Sequence, residues 1–311
     1  MIFFAVLEYA ILASTFTISK VAISHADPLF LIGVRMILSA PIVFLIYYLQ
    51  KKSVPTIQKS DYWQFFLVSV FHIFLPFIGE FWALQFMSSA KTAITYSLTP
   101  FIAAILSYFL LKQKISRRQS LGLVIGLLGL LPILISGDDI KQGAGELFMI
   151  SLPEIVLLLS VTSASYAWFL VSGLMKKGYQ ISVINGIAMF FGGVFSLILW
   201  ILTNNGEPPI RGELADFALW TGLLIIVANV ISYNFYGWLL KHLSITFMSA
   251  IGFLCPIFAS LYGFLFLDEH LGFTHLAALL LVALGLWLFY RDEIRDQQAR
   301  LPADQGIKKD G

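Results

Sequence analysis

The sequence predicts an all-α membrane protein of ten transmembrane helices, arranged as two inverted five-helix repeats. Three observations predict it. With 59% hydrophobic and 12% charged residues and a mean hydropathy of +0.85, the 311-residue chain is too apolar for a soluble domain of its length. Roughly ten apolar runs are each long enough to cross a bilayer, which takes about 20 helical residues. Finally, SSAKTAITYSLTPFIAAILSYFLL, Ser88 to Leu111, has a second copy in SITFMSAIGFLCPIFASLYGFLFL, Ser244 to Leu267. Setting Pro100 on Pro256, an offset of 256 − 100 = 156 residues, also sets Trp82 on Trp238 and Gly129 on Gly285. An internal duplication of half the chain accounts for that.

The runs centre near Ala13, Ser39, Ile73, Ala103, Gly126, Val161, Phe191, Ile226, Ala259 and Leu281. The opening MIFFAVLEYAILASTFTISK has no basic residue before Lys20 and reads as a retained first helix, not a signal peptide. Short connections carry turn chemistry: HADP near Asp27, SGDD at Ser136, NNGEPP at Asn204. In the paired stretch each copy holds its proline about midway along an apolar run, where the ring removes a donor and crowds the preceding turn, so a kinked helix is expected at Pro100 and Pro256. A kink at membrane depth needs neighbours or an internal cavity to satisfy the freed carbonyl, which makes this pair a candidate for kink and gating. Gly122, Gly126 and Gly129 give the fifth helix a small-residue face for close helix packing or for a homodimer contact. Only the segment after Tyr290 is polar over a long stretch. The repeats are thus expected over 1–136 and 137–290, with a cytoplasmic polar tail over 291–311.

Basic residues sort to one side. Alternate connections and the tail hold 15 Lys and Arg, among them Lys51, Lys52, Lys59, Lys112, Lys114, Arg117, Arg118, Lys176, Lys177 and Lys241, against four on the other side (Lys20, Lys91, Lys141, Arg211). That bias puts both termini in the cytoplasm of a cell or inner membrane. Five helices per half is an odd number, so the second repeat enters the membrane the other way up. Consistently, Lys112-Gln113-Lys114 in the first half aligns with Asp268-Glu269-His270 in the second, opposite in charge. Inverted repeats around a midplane site are the architecture of secondary transporters.

The order proline, charged triplet, glycine-rich helix, read twice in TPFIAAILSYFLLKQKISRRQSLGLVIGLLGLL and CPIFASLYGFLFLDEHLGFTHLAALLLVALGLWL, resembles the repeated signature of the ten-helix EamA-type branch of the drug/metabolite transporter superfamily. The resemblance spans about Leu7 to Tyr290 and is clearest at Asp268-Glu269; Gln113 stands where that family commonly has Glu, and Ser14-Thr15 replaces its Trp-Gly step. It implies a transporter fold and a substrate among amino acids, nucleoside-like metabolites and drugs.

Ionisable groups inside a span are costly, about 2.5 to 3.5 kcal/mol each on insertion scales, so each raises a functional hypothesis. Glu8, Arg35, Glu80 and Glu154 are such groups. Arg35 either neutralises a carboxylate between helices or faces a substrate. Glu8 and Thr15 share one stripe of the first helix, and Glu154 and Trp168 share one on the sixth. Asn229 and Tyr233 are one turn apart, and His72 stands four residues before Pro76 and eight before Glu80. With Tyr96 these ten residues are the candidate substrate-binding set. Carboxylates beside aromatic rings suit an organic zwitterion or cation, such as an amino acid or an S-adenosyl metabolite. No phosphate-binding loop, HExxH or GxSxG occurs, so no cofactor, metal or catalytic residue is expected, and the dispersed charge argues against a nucleic-acid partner. The leading expectation is a secondary transporter of a small organic metabolite working by alternating access. A broad-specificity exporter is the alternative, and an intramembrane enzyme or a non-transporting scaffold the reading from another class.

Overall fold

A computed structural model describes residues 1–83, 86, 96, 98–113, 115–135, 152–266, 280, 281, 283–285 and 287–289. Among them the chain is helical throughout, with no strand. The helices are α1 (Ile2–Ser24), α2 (Pro28–Lys51), α3 (Lys59–Ala83), α4 (Thr99–Leu111), α5 (Arg117–Ile135), α6 (Leu152–Lys176), α7 (Ile181–Thr203), α8 (Leu214–Leu239), α9a (Ile245–Ile251) and α9b (Cys255–Phe266). Six spans are long and apolar enough to cross a membrane (α1, α2, α3, α6 from Ile155, α7 and α8), and shorter apolar helices follow the same pattern. Leu38, Ile42, Leu45 and Leu49 on α2, and Ile198, Ile201 and Leu202 on α7, point outward and are exposed. Outward-facing aliphatic rows of this kind belong in lipid, and the chain is a multi-pass integral membrane protein.

At its amino end α2 is set by Asp27, whose carboxylate accepts from Leu29 N (2.9 Å) and Phe30 N (3.2 Å) ahead of Pro28 in the first turn. It packs along α7 in antiparallel fashion: Phe30 meets Trp200, Gly33 meets Gly193 and Leu197, and Phe44 meets Gly186. A Cβ built on Gly193 would lie 2.9 Å from the Gly33 carbonyl oxygen, so the two backbones touch where neither carries a side chain. Around this axis α1 runs antiparallel to α8, with Phe4 on Phe235 and Trp238, Glu8 on Ser232, and Ala22 near Phe217. In the same way α3 runs antiparallel to α6, with Gln64 on Leu170, Phe71 on Ser163 and Gly79 on Ser160.

Both α3 and α8 pass through a π-helical segment, Ser69–Phe74 in the first and Ile225–Ser232 in the second. Shifted by the 156 residues of the sequence repeat, Ser69 falls on Ile225, so the two distortions begin at the same place. In α3 the cause is local. Pro76 has no N–H for the carbonyl of His72, and widening the turn before it relieves the clash. The carbonyl of Phe71, inside the widened turn, accepts from Ser163 Oγ at 3.0 Å.

In the second copy of the paired stretch the backbone stays right-handed helical from Ile245 onward, tightening for one turn. In the second copy α9a ends at Ile251, a 3₁₀ turn occupies Gly252–Leu254, and α9b starts at Cys255 with Pro256 in its first turn. In the first copy α4 starts at Thr99, again with Pro100 in its first turn. At Pro100 the missing N–H falls in the first turn of α4, where no carbonyl of that helix needs it. The glycine face of α5 packs within the chain: a Cβ at Gly122 would lie 2.6 Å from the Gly285 carbonyl oxygen, and one at Gly285 would lie 2.6 Å from that of Gly122. Close helix packing, the first of the two roles expected for that face, is therefore present. Gln113 is described, whereas Lys114, Asp268, Glu269 and His270 lie outside the described residues.

Candidate functional site

The two π-helical segments bring their polar side chains to the middle of the bundle. His72, from the first segment, stands edge-on to Trp168 of α6 (centroids 4.6 Å) and to Tyr233 of α8 (4.9 Å). Trp168 in turn lies over Tyr236 at 4.1 Å. Four aromatic rings from α3, α6 and α8 thus form one box, drawn from both halves of the sequence. Offset and edge-to-face contacts of this kind contribute about 0.5 to 1.5 kcal/mol apiece and hold the rings at fixed angles.

Arg35 of α2 borders the box. Its guanidinium carbon lies 4.4 Å from the centre of the Phe77 ring and 5.7 Å from that of Phe81, both on α3. The side chain is 2% exposed, and its Nε and Nη2 have no hydrogen-bond partner. Glu80 and Tyr233 are within electrostatic reach of it, but Glu80 takes its hydrogen bond from elsewhere: Tyr96 Oη donates to Glu80 Oε2 at 2.5 Å. Of the two roles expected for Arg35, pairing with a carboxylate between helices is therefore not the one the described residues show.

On the other side of the box, Ser232 donates to Glu8 Oε1, while Glu8 Oε2 is buried without a partner. Tyr9 Oη donates to the Met248 carbonyl at 2.7 Å, and its ring meets that of Tyr236 edge-on. Asn229 Nδ2 donates to Met36 Sδ at 2.7 Å, leaving its Oδ1 unpartnered, and Asn185 of α7, close to His72, leaves its own Oδ1 unpartnered as well. His72 Nε2 completes a set of orphaned polar atoms. Each such atom costs roughly 1 to 3 kcal/mol if nothing meets it, and six of them lie around this one aromatic box.

The structure thus gathers Glu8, Arg35, His72, Glu80, Tyr96, Trp168, Asn229 and Tyr233. Thr15 is buried, but its hydroxyl donates to the Leu12 carbonyl of its own helix at 2.7 Å. The side chain of Glu154 lies outside the described residues. Members of the cluster outside the candidate set include Tyr236 of the box itself, the neighbouring Tyr9, Phe77 and Phe81, and the polar or sulfur-bearing Asn185, Ser232 and Met36. A lone asparagine inside ISVINGIAMFFGG was a visible signal, since an amide in so apolar a run needs a partner; nothing local in the sequence marks Ser232 or Met36.

Contacts between the halves tie both ends of the bundle. At one end Lys177 Nζ lies 2.7 Å from Asp61 Oδ1 and donates to Gln64 Oε1 at 2.9 Å, and Tyr179 Oη donates to Asp61 Oδ2 at 2.7 Å. Burial and this hydrogen bond push the Tyr179 hydroxyl above the usual tyrosine range. At the other end, Asp27 N donates to the Pro209 carbonyl (2.9 Å) and Arg211 N to that of His25 (2.8 Å).

A helical membrane bundle with a polar, aromatic-walled centre built from both halves defines a membrane transporter as the class. The model of the EamA-like transporter family matches residues 1–135 and 151–291, and the chain belongs to that family. It is 32% identical over 299 residues to an S-adenosylmethionine/S-adenosylhomocysteine transporter of Chlamydia muridarum, covering 94% of this chain and 92% of the relative. A transporter of the same description from Chlamydia trachomatis serovar L2 is 33% identical over 299 residues, covering 94% of this chain and 90% of the relative. An uncharacterized transporter of Bacillus subtilis, YoaV, is 25% identical over 281 residues, covering 88% and 91%. A crystal structure at 17% identity superposes with a TM-score of 0.71 over 95% of this chain and 96% of the other, which is a likeness of fold.

Proposed function

We propose that the chain carries S-adenosyl compounds across the cell or inner membrane by alternating access, with the aromatic box and its surrounding polar groups as the substrate site. The observation that carries this is the box itself. His72, Trp168, Tyr233 and Tyr236 offer flat faces for an adenine ring, and orphaned polar atoms of Glu8, Arg35, Asn185 and Asn229 lie around them. Relatives named for S-adenosylmethionine and S-adenosylhomocysteine support the same choice.

The transporter is built of ten helices in two inverted repeats, 1–136 and 137–290, with both termini and the tail 291–311 in the cytoplasm. Two matches of one family model, to 1–135 and 151–291, support the duplication. Antiparallel packing of α2 with α7, α1 with α8 and α3 with α6 supports the inversion, because repeats entering the membrane the same way up would set α2 and α7 parallel. On this reading the Asp61–Lys177 tie lies on the cytoplasmic face, and the tie between His25–Asp27 and Pro209–Arg211 lies on the opposite face. Alternating access breaks one and keeps the other.

Counter-flow of labelled S-adenosylmethionine into proteoliposomes preloaded with S-adenosylhomocysteine tests the proposal. Uptake driven by the internal compound, with hexose or triose phosphates competing weakly, is the expected result. Stronger competition by the phosphates, or no counter-flow of either S-adenosyl compound, overturns it.

A further inference from the structure

We infer that Arg35 is the specificity-determining residue for the amino-acid end of the substrate, taking its α-carboxylate on the Nε–Nη2 edge. The inference rests on the transport reading above and goes one step past it, by assigning one pole of the ligand to one side chain.

Two phenylalanine rings hold the guanidinium, and its Nε–Nη2 edge is buried without a partner. Phe77 lies against it at 4.4 Å and Phe81 at 5.7 Å, which fixes the plane of the group. Nε and Nη2 carry parallel N–H bonds, the fork that meets both oxygens of a carboxylate at once, and these are the two nitrogens buried without a partner. The nearby carboxylates are engaged otherwise. Glu80 accepts from Tyr96, and Glu8 accepts from Ser232 beyond the aromatic box. A guanidinium 2% exposed and lacking an ion pair is costly to keep in place, and an anion brought by the ligand offsets that cost.

The neighbours define what kind of anion fits. Tyr233 and Glu80 are the groups within electrostatic reach of Arg35, so the cation faces an acidic group as well as the ligand. A phosphate dianion would meet a single guanidinium and a repelling carboxylate. An amino-acid end suits the place better, with its carboxylate on Arg35 and its ammonium toward Glu80. Sulfonium and thioether forms share this end and differ only beyond it, so one site serves both.

The test compares S-adenosylmethionine with decarboxylated S-adenosylmethionine, which keeps the adenosine, the sulfonium and the amine. In counter-flow competition against wild-type protein, the decarboxylated compound should be at least about tenfold weaker, the loss expected of one charge-assisted bidentate contact. Arg35→Met should bring the two compounds to within about threefold of each other while folding at least as well, because an unpaired buried charge has been removed. Arg35→Lys, which keeps the charge and loses the fork, should fall between. Equal competition by the two compounds in the wild type overturns the inference without touching the transport reading, as does an undiminished preference for the carboxylate in both variants. If neither S-adenosyl compound is carried at all, both fall. Should Arg35→Met fail to fold, the wild-type ratio and Arg35→Lys still decide.

Discussion

Lys177 Nζ and Asp61 Oδ1, 2.7 Å apart, join the start of α3 in the first half to the turn between α6 and α7 in the second. Lys177 is 49% exposed while Asp61 is 7% exposed, so the pair is open to water on its lysine side, and an ion pair so screened contributes only about 0 to 1 kcal/mol. A weak tie suits the alternating-access proposal, in which this end of the bundle opens and closes. Asp61→Asn should therefore change thermal stability by less than ~1 kcal/mol. It should also raise the rate at which an impermeant thiol reagent on the Lys177 side labels a cysteine at Asn234, a half-buried position below the box. Unchanged labelling alongside a large loss of stability would show that the tie is structural and does not gate access.

The proposed inverted arrangement makes a prediction about sidedness. Lys52 follows α2 and Asn204 follows α7, and the two helices run antiparallel. Single cysteines at these positions should react with an impermeant reagent from opposite sides of the membrane, Lys52 from the cytoplasm. Reaction from one side only at both positions would sink the inverted repeat.

Glu80→Gln keeps the shape of the side chain and leaves Tyr96 a carbonyl oxygen to donate to, so the folded protein should survive. Removing the negative charge should lower uptake by at least about tenfold, equivalent to about 1.4 kcal/mol of lost binding or coupling. A parallel loss of folded protein would point to a structural role for the carboxylate.

Trp168 touches His72, Tyr233 and Tyr236, more rings than any other residue of the box. Trp168→Ala should weaken competition by S-adenosyl compounds about tenfold, since aromatic stacking on a base is worth about 1 to 3 kcal/mol. Trp168→Phe should recover part of it. If alanine and phenylalanine behave alike in a protein that still folds, the ring is packing and not a substrate platform.

Packing between the halves is most sensitive at the α2–α7 crossing. Gly193→Ala forces a Cβ to within 2.9 Å of the Gly33 carbonyl oxygen, and backbone on both sides leaves little room to yield. Overpacking of this kind typically costs about 1 to 3 kcal/mol, so the melting temperature of the purified protein should drop by several degrees. Gly178→Ala serves as the comparison for local backbone effects, because Gly178 has open space around it and a φ of +95°, which strains alanine without any packing clash.

Hydropathy settled the class from sequence alone, because apolar runs of bilayer length can satisfy their backbone only as helices, and the match of Pro100 with Pro256 and Trp82 with Trp238 is what the proposed duplication rests on. The charged residues of the candidate site were legible for a related reason, because Glu8, Arg35 and Glu80 are costly in lipid and therefore visible one at a time. Tertiary structure alone decided what they do with one another. Whether Arg35 pairs with Glu80 depends on side-chain distances between α2 and α3, and the protein gives Glu80 to Tyr96 and leaves the guanidinium fork unpartnered. Likewise, the π-helical turns at Ser69–Phe74 and Ile225–Ser232 leave little trace in composition, and the contact of His72 with Tyr233 joins two helices far apart in sequence. Hydrophobicity is a property of each residue and reads directly from the chain, whereas a hydrogen bond or a ring contact belongs to a pair, and only the fold chooses the pair.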